Sequence, residues 1–236
     1  MITTFQKMST ENEYVFRRFM EILTPHKVDL FKQIASNRTR HLCVVLEDIF
    51  QEHNASAIIR TSDCLGIQDL YTIEEKNKYV LQRKIALGAG RWINLHRFGQ
   101  QKNPADNCLS ELKSKGYKIV ATSPHADAFT PNNLPIEQPL AIVFGTERHG
   151  LSEKILQQAD YHLAIPMYGF TESLNLSVSA AIILQSIRTR LEQSQLPWKI
   201  SSEAQSKLII EWSTRILNGG EALEKQFRNE YFQKEL

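Results

Sequence analysis

The chain has 236 residues, 42% of them hydrophobic and 23% charged, enough apolar content to bury a core and too little charge imbalance for a disordered or fibrous protein. A net charge of +2 permits a nucleic-acid partner but does not indicate one, so any electrostatic footprint must be local. Cys43, Cys64 and Cys108 are three scattered thiols without CxxC spacing. They argue against a disulfide framework and a zinc site, and fit a reducing compartment.

The N-terminus, MITTFQKMSTENEY, has no apolar h-region, and no run approaches the length of a membrane span. The expectation is a cytoplasmic protein with no membrane association and no metal. Glu13 to Leu23 carries Phe16, Phe19, Met20 and Leu23 at helical spacing, and a second helix follows Pro25 and ends near Ser36. The basic connector Asn37 to His41 closes a helical extension, residues 1–40.

From His41 the pattern changes. His41 to Leu46 (HLCVVL) reads as a buried strand, the segment Asn54 to Gly66 as a helix, and Ile67 to Ile73 (IQDLYTI) as a second strand. A mixed segment runs through Ile85 and GAGRWINLHRF, and Pro104 to Lys115 is expected to be helical. YKIVATS and LAIVFG read as strands, SEKILQQA as a helix, and YHLAIP as a strand ending at Pro166. A long helix follows from Asn175 to about Glu192. Short apolar strands alternating with helices define an α/β domain with a largely parallel sheet, residues 41–195. Residues 196–236 form a C-terminal extension, with a helix from Glu203 to about Leu217 stopped by Asn218-Gly219-Gly220 and a polar tail beyond.

Three stretches carry chemistry. In NASAIIRTSDCLG, Asn54 suits a helix N-cap. At 100° per residue Ala57, Ile58, Thr61 and Leu65 share one side of that helix, and Ser56, Arg60 and Asp63 another. Periodicity alone favours a solvated Arg60 paired with Asp63, worth a few tenths of a kcal/mol. In LAIVFGTERHGLSE, the strand ends at Gly145, Glu147, Arg148 and His149 occupy the following loop, and Ser152 suits an N-cap. Loops at the carboxyl ends of strands are where α/β proteins place ligands. In IPMYGFTESLNLSVSAAIILQ, Asn175 caps a helix whose Leu176, Ala180, Ile183 and Ile187 form one stripe. Val178, Ala181, Ile182 and Leu184 extend apolar character around it, so the helix is expected to pack on more than its own sheet. LGAGRW lacks the third glycine of a dinucleotide fingerprint, and no P-loop, HExxH or GxSxG is present. An oxidoreductase is therefore disfavoured.

Taken together and in order, Asn54 to Arg60, Phe144 to Gly150 and Ile165 to Leu184 resemble the three motifs of the SpoU-type RNA ribose 2′-O-methyltransferases. The flanks, including EWS at Glu211 to Ser213, are similar to the branch acting on guanosine 18 of tRNA. The resemblance implies a trefoil-knotted SPOUT fold with N- and C-terminal helical extensions, S-adenosylmethionine as cofactor, and a homodimer. It assigns the active site to Arg60, Asn54, Glu147, Ser173 and Asn175, and cofactor contacts to Thr122, Gly145, Ile165, Met167 and Leu174. The family proposal makes the motif-one arginine, here Arg60, the base. A guanidinium gives up its proton only above pH ~12, so binding phosphate and orienting the ribose is an equally consistent role. RNA contacts are expected from Arg17, Arg18, Arg38, Arg40 and His41 and, on a loop with Trp92, from Arg91. The rivals are the same chemistry on rRNA or another tRNA position, and an RNA-binding protein of this fold without turnover.

Overall fold

The computed structural model describes residues 10–77, 86, 88–99, 102–123 and 128–234. Met1 to Ser9, most of the mixed segment that ends at Ile85, and Leu87 lie outside these residues. The chain divides into two compact units: Thr39–Trp198, and a second made of Met1–Arg38 with Lys199–Leu236.

The larger unit holds β1 (Leu42–Glu47), α3 (Glu52–Cys64), β2 (Asp69–Ile73), a 3-10 turn (Ala89–Arg91), β3 (Asn94–Phe98), α4 (Pro104–Ser114), β4 (Lys118–Thr122), β5 (Leu140–Phe144), α5 (Glu153–Gln158), β6 (Tyr161–Leu163) and α6 (Leu176–Gln193). Every neighbouring pair of strands is parallel, in the order β3-β2-β1-β5-β4-β6. The unbroken apolar runs β1 and β5 lie at the centre, each buried along its whole length. One face carries Leu42, Val44, Leu46 and Ile142 against Ile58 and Ile59 of α3 and Ile183, Leu184 and Ile187 of α6. The other carries Cys43, Val45, Ile119 and Val143 against Leu109 and Leu112 of α4 and Ile155 of α5. Each such aliphatic side chain contributes about 1.5–3 kcal/mol through burial. The result is a three-layer α/β unit.

Two expectations are corrected here. GAGRWINLHRF contains an edge strand, β3, where none was expected; it is half exposed, so it lacks the apolar run that marks the central strands. β6 ends at Leu163 rather than at Pro166, and residues 164–175 follow as irregular backbone.

The second unit is built from α1 (Thr10–Ile22), α2 (Pro25–Ala35), α7 (Ser202–Ile216) and α8 (Gly220–Lys234). Residues from both ends of the chain share its core: Val15 and Phe19 pack with Ile210 and Phe227, the two phenyl rings edge-to-face at 5.2 Å. The expected polar tail is thus a helix, held through Phe227 and a Tyr14–Tyr231 ring contact. Phe31 meets Trp212 in the same way.

Candidate active site

Helix α3 begins at Glu52, with Gln51 in the N-cap position and no side-chain cap bond. Asn54 is therefore not the cap but lies in the first turn, 2% exposed, with its amide free to bond outside the helix. One Nδ2 hydrogen goes to Gln51 Oε1 at 3.0 Å and the other to Glu147 Oε1 at 2.6 Å. Its Oδ1 accepts from Asn175 Nδ2 at 3.1 Å. Asn175 in turn uses its Oδ1 to cap α6, accepting from the backbone N–H of Ser177 at 2.9 Å and from the Ser177 hydroxyl at 2.6 Å. Capping and site-building are thus one function of two ends of the same amide. Three separate sequence motifs meet at Asn54.

The fold supplies the meeting point. Asn54 follows the carboxyl end of β1, and Glu147 follows that of its neighbour β5. Residues 164–175 carry the chain from the β6 edge back to Asn54, passing three strand spacings, roughly 14 Å. The Glu147 loop is closed by paired bonds between Thr146 and Gly150, each 2.9 Å. Gly150 takes φ +65°, and a Cβ on Gly145 would lie 2.3 Å from the Gly150 carbonyl carbon and oxygen. Both glycines of the FGxExxG pattern are therefore demanded by the turn itself.

Arg60 sits elsewhere on the helix. The buried stripe of α3 is Ala55, Ile58, Ile59 and Ser62, with Asn54 and Ser56 buried beside it, not the Ala57–Ile58–Thr61–Leu65 side expected from spacing. Ser62 is tolerated there because its hydroxyl bonds the Ile58 carbonyl at 2.9 Å. Ser56 is fully buried while Arg60 is exposed, so they do not share a solvated face. Arg60 makes no hydrogen bond or ion pair with any described residue, so the expected pairing with Asp63 is absent. It lies six residues from Asn54, about 9 Å along the axis. Ser173 is also exposed and is not joined by a hydrogen bond to the Asn54 cluster among the described residues.

The residues assigned to the cofactor lie at neighbouring strand ends. Thr122 ends β4 and donates its hydroxyl to Val143 O at 2.8 Å. Gly145 follows β5 and Ile165 follows β6, with Met167 and Leu174 36% and 38% exposed on the irregular segment. Apolar side chains on backbone outside regular pairing offer flat contact and amide hydrogen bonds, a donor set that fits a neutral purine nucleoside better than a metal. No metal-holding cluster occurs among the described residues.

The basic residues divide. Arg38 is 2% exposed and stacks over Trp212 at 5.3 Å; its expected place on the surface is corrected, because the indole and helix packing enclose it. Arg18 pairs with Glu21 and Glu230. Arg40 Nε donates to Asp69 at 2.9 Å, and the His41 ring bonds Ile136 O at 2.7 Å. Arg17, paired with Glu13, keeps 71% of its side chain exposed, and Arg91 is exposed.

Sequence reasoning missed Glu47 and Gln51. Glu47 ends β1, is 5% exposed, and accepts from the Ser152 backbone N–H at 2.8 Å and the Ser152 hydroxyl at 2.5 Å. Burial raises its carboxyl pKa, and the Ser152 bonds oppose that shift. The available signal was a charged residue at the end of an otherwise apolar strand.

The three-layer parallel sheet with this loop cluster at its carboxyl ends belongs to the SpoU rRNA Methylase family, whose model matches residues 41–185, more than half the chain. Within that family the chain is similar to tRNA (guanosine(18)-2′-O)-methyltransferases. It is 40% identical to that of Borreliella burgdorferi, covering 86% of this chain and 92% of the relative, and 31% identical to that of Aquifex aeolicus, covering 82% and 92%. The crystal structure of the A. aeolicus TrmH/SpoU tRNA modifying enzyme superposes with TM-score 0.71 at 27% identity, covering 86% of this chain and 99% of that one. The SpoU methyltransferase AviRb from Streptomyces viridochromogenes, solved with AdoMet, shares the fold at TM-score 0.57 and 21% identity.

Proposed function

We propose that the protein transfers a methyl group from S-adenosylmethionine to a ribose 2′-hydroxyl of tRNA, at guanosine 18 of the D-loop, as the names of its relatives state for them. The observation that carries this reading is the Asn54 junction, where one buried amide joins the Glu147 loop to the cap of α6. S-adenosylmethionine supplies a methyl group already activated by its sulfonium, so the protein's own task is alignment. Thr122, Gly145, Ile165, Met167 and Leu174 hold the nucleoside. Asn54 fixes Glu147 and Asn175 in one register, and Ser173 lies two residues before that cap. Arg60, with five donors and no competing carboxylate, binds phosphate bidentately and holds the ribose; the 2′-hydroxyl oxygen takes the methyl group, the cofactor leaving as the neutral thioether, and the hydroxyl proton goes to solvent water.

Phosphate contacts fall to Arg17 in the helical unit and to Arg91 in the sheet unit; Arg18, Arg40 and His41 contribute less, since their own partners hold them. The chain works as a homodimer in the cytoplasm. Val178 and Ile182 on α6 remain 45% and 42% exposed, an apolar face suited to a second copy. No helix among the described residues is long and apolar enough to cross a membrane. The placement of β5 between β1 and β4, with residues 164–175 crossing strand ends, supports a trefoil-knotted path.

The test is to incubate purified protein with labelled S-adenosylmethionine and unmodified tRNA transcripts and to map the methylated nucleotide. A 2′-O-methyl group at guanosine 18 is expected. Transfer to rRNA with none to tRNA would replace the substrate, a result the family model's rRNA description makes worth measuring. Binding of RNA without transfer to either would remove the catalytic reading.

A further inference from the structure

We infer that Glu47 is a positioning residue for methyl transfer, acting by clamping the far end of the loop that presents Glu147. The inference rests on the function proposed above. The loop between β5 and α5 is anchored at its start by the β1–β5 ladder, where Leu46 is registered with Phe144. Its other end has no ladder. There both carboxylate oxygens of Glu47 are spent on one residue, Ser152, whose backbone N–H and hydroxyl they accept. Between the two anchors the chain turns tightly through Gly145 and Gly150, and Leu151 is buried beneath. Glu147 stands at the middle of this short span and meets Asn54 at 2.6 Å.

A capping role for α5 alone does not account for a buried acid. Ser152 already caps that helix with its own oxygen, and a buried carboxylate is costly unless its bonds fix something of use. The next residue repeats the device on the other side of β1. Asp48, at φ +50°, accepts from the backbone N–H groups of Lys76 and Asn77 at 2.8 and 3.1 Å. The carboxyl end of β1 therefore sends one acid to each neighbouring loop, and the one sent toward β5 controls the catalytic loop.

The experiment measures steady-state methyl transfer by the full chain for Glu47→Leu, Glu147→Ala and the double variant. Glu47→Leu is expected to lower kcat about thirtyfold, within the range that misplacement of a catalytic group produces. Glu47→Gln, which keeps an acceptor, recovers most of the loss. In the Glu147→Ala background the Leu substitution is expected to cost less than about twofold more, because no carboxylate remains to misplace. Wild-type kcat in Glu47→Leu, or losses that multiply in full in the double variant, would overturn the inference. If Glu47→Leu does not fold, Ser152→Ala takes its place with the same criteria.

Amide hydrogen exchange gives a reading independent of turnover. Exchange at Gly150 and Ser152 should rise about tenfold or more in Glu47→Leu while that at Val143 in β5 is unchanged, the pattern of local opening. Unchanged protection at Ser152 would overturn the clamp. A wild-type protein that transfers no methyl group counts against the proposed function instead, and the exchange measurement still decides the clamp.

Discussion

Two polar networks on the parallel sheet differ in whether their charges are paired. At the amino ends, Asp69 and Asp160 are paired. Asp69, 6% exposed, accepts from Arg40 at 2.9 Å and from His96 at 3.1 Å. His96 stacks on Tyr71 at 4.4 Å, whose hydroxyl accepts from Lys115 at 3.2 Å. Burial pushes the Tyr71 hydroxyl up to about 12 against that lysine. Lys118 and the Ile119 N–H share Asp160. At the carboxyl ends, Asn54, Glu147 and Asn175 are joined to one another; Arg60, on the same helix as Asn54 but about 9 Å further along its axis, is exposed and without a partner among the described residues. A network closed on itself contributes stability. A strong donor left open on the helix that carries the Asn54 junction has room for an anionic ligand, and the contrast is between paired and unpaired charge.

The sharpest way to break this contrast is Arg60→Ala. Methyl transfer is expected to fall by a factor on the order of 1,000, as for loss of a strong transition-state donor, with S-adenosylmethionine binding by calorimetry retained. Substantial residual turnover would mean the open arginine is only a surface charge. Asn54→Ala comes next, with a loss of roughly 100-fold from misalignment of both loops. It also strands the Asn175 amide, so a lower melting temperature should accompany the kinetic loss.

Asp69→Asn tests the closed end. Burial by itself would raise the Asp69 carboxyl; the hydrogen bond from His96 and the charge of Arg40 outweigh it and hold the pKa below the usual carboxylate value. A depressed folded pKa contributes stability above the usual carboxylate range, and that stability is lost as pH falls through the folded value. The variant should melt several degrees lower at neutral pH, with kcat unaffected, and melting curves across a pH series should show a shallower acid limb. An unchanged acid limb would mean that the pairing contributes nothing to stability.

Arg91→Ala is the smallest test. If RNA also touches this side of the unit, the slope of log K against log salt should fall by about one. An unchanged slope confines the RNA to other surfaces.

The legible parts of the molecule were those fixed by local pattern. β1 and β5 are buried, largely apolar runs, β2 and β4 carry apolar residues through their middles, and α6 announces itself by its stripe and by Asn175. β3 was not legible, because an edge strand such as NLHRF is only half covered and its residues need not be apolar. α8 escaped because its buried stripe is sparse, with Phe227 as its large apolar anchor among the described residues. The three motifs of the site could be read from residue order, but not their connection. Whether Asn54 caps its helix or bonds Glu147 is decided 93 residues away, and Glu47 becomes a clamp only because Ser152, 105 residues later, arrives beside it. Arg60 was legible as a motif residue and misread as one half of an ion pair, since spacing gives adjacency on a helix but not which rotamer wins.

The strand order also sets a schedule for the chain's assembly. β5 lies between β1 and β4 although it is made after both, so a growing polypeptide on the ribosome holds its outer strands before the one that unites them. Nothing of the Asn54 junction can exist until residue 147 has emerged, and it is complete only with residue 175. Such late, long-range closure is slow and leaves apolar strand edges uncovered in the interim. Nascent chains arrested before β5 should therefore depend on chaperones, and that dependence should end once residues 140–144 have joined the sheet.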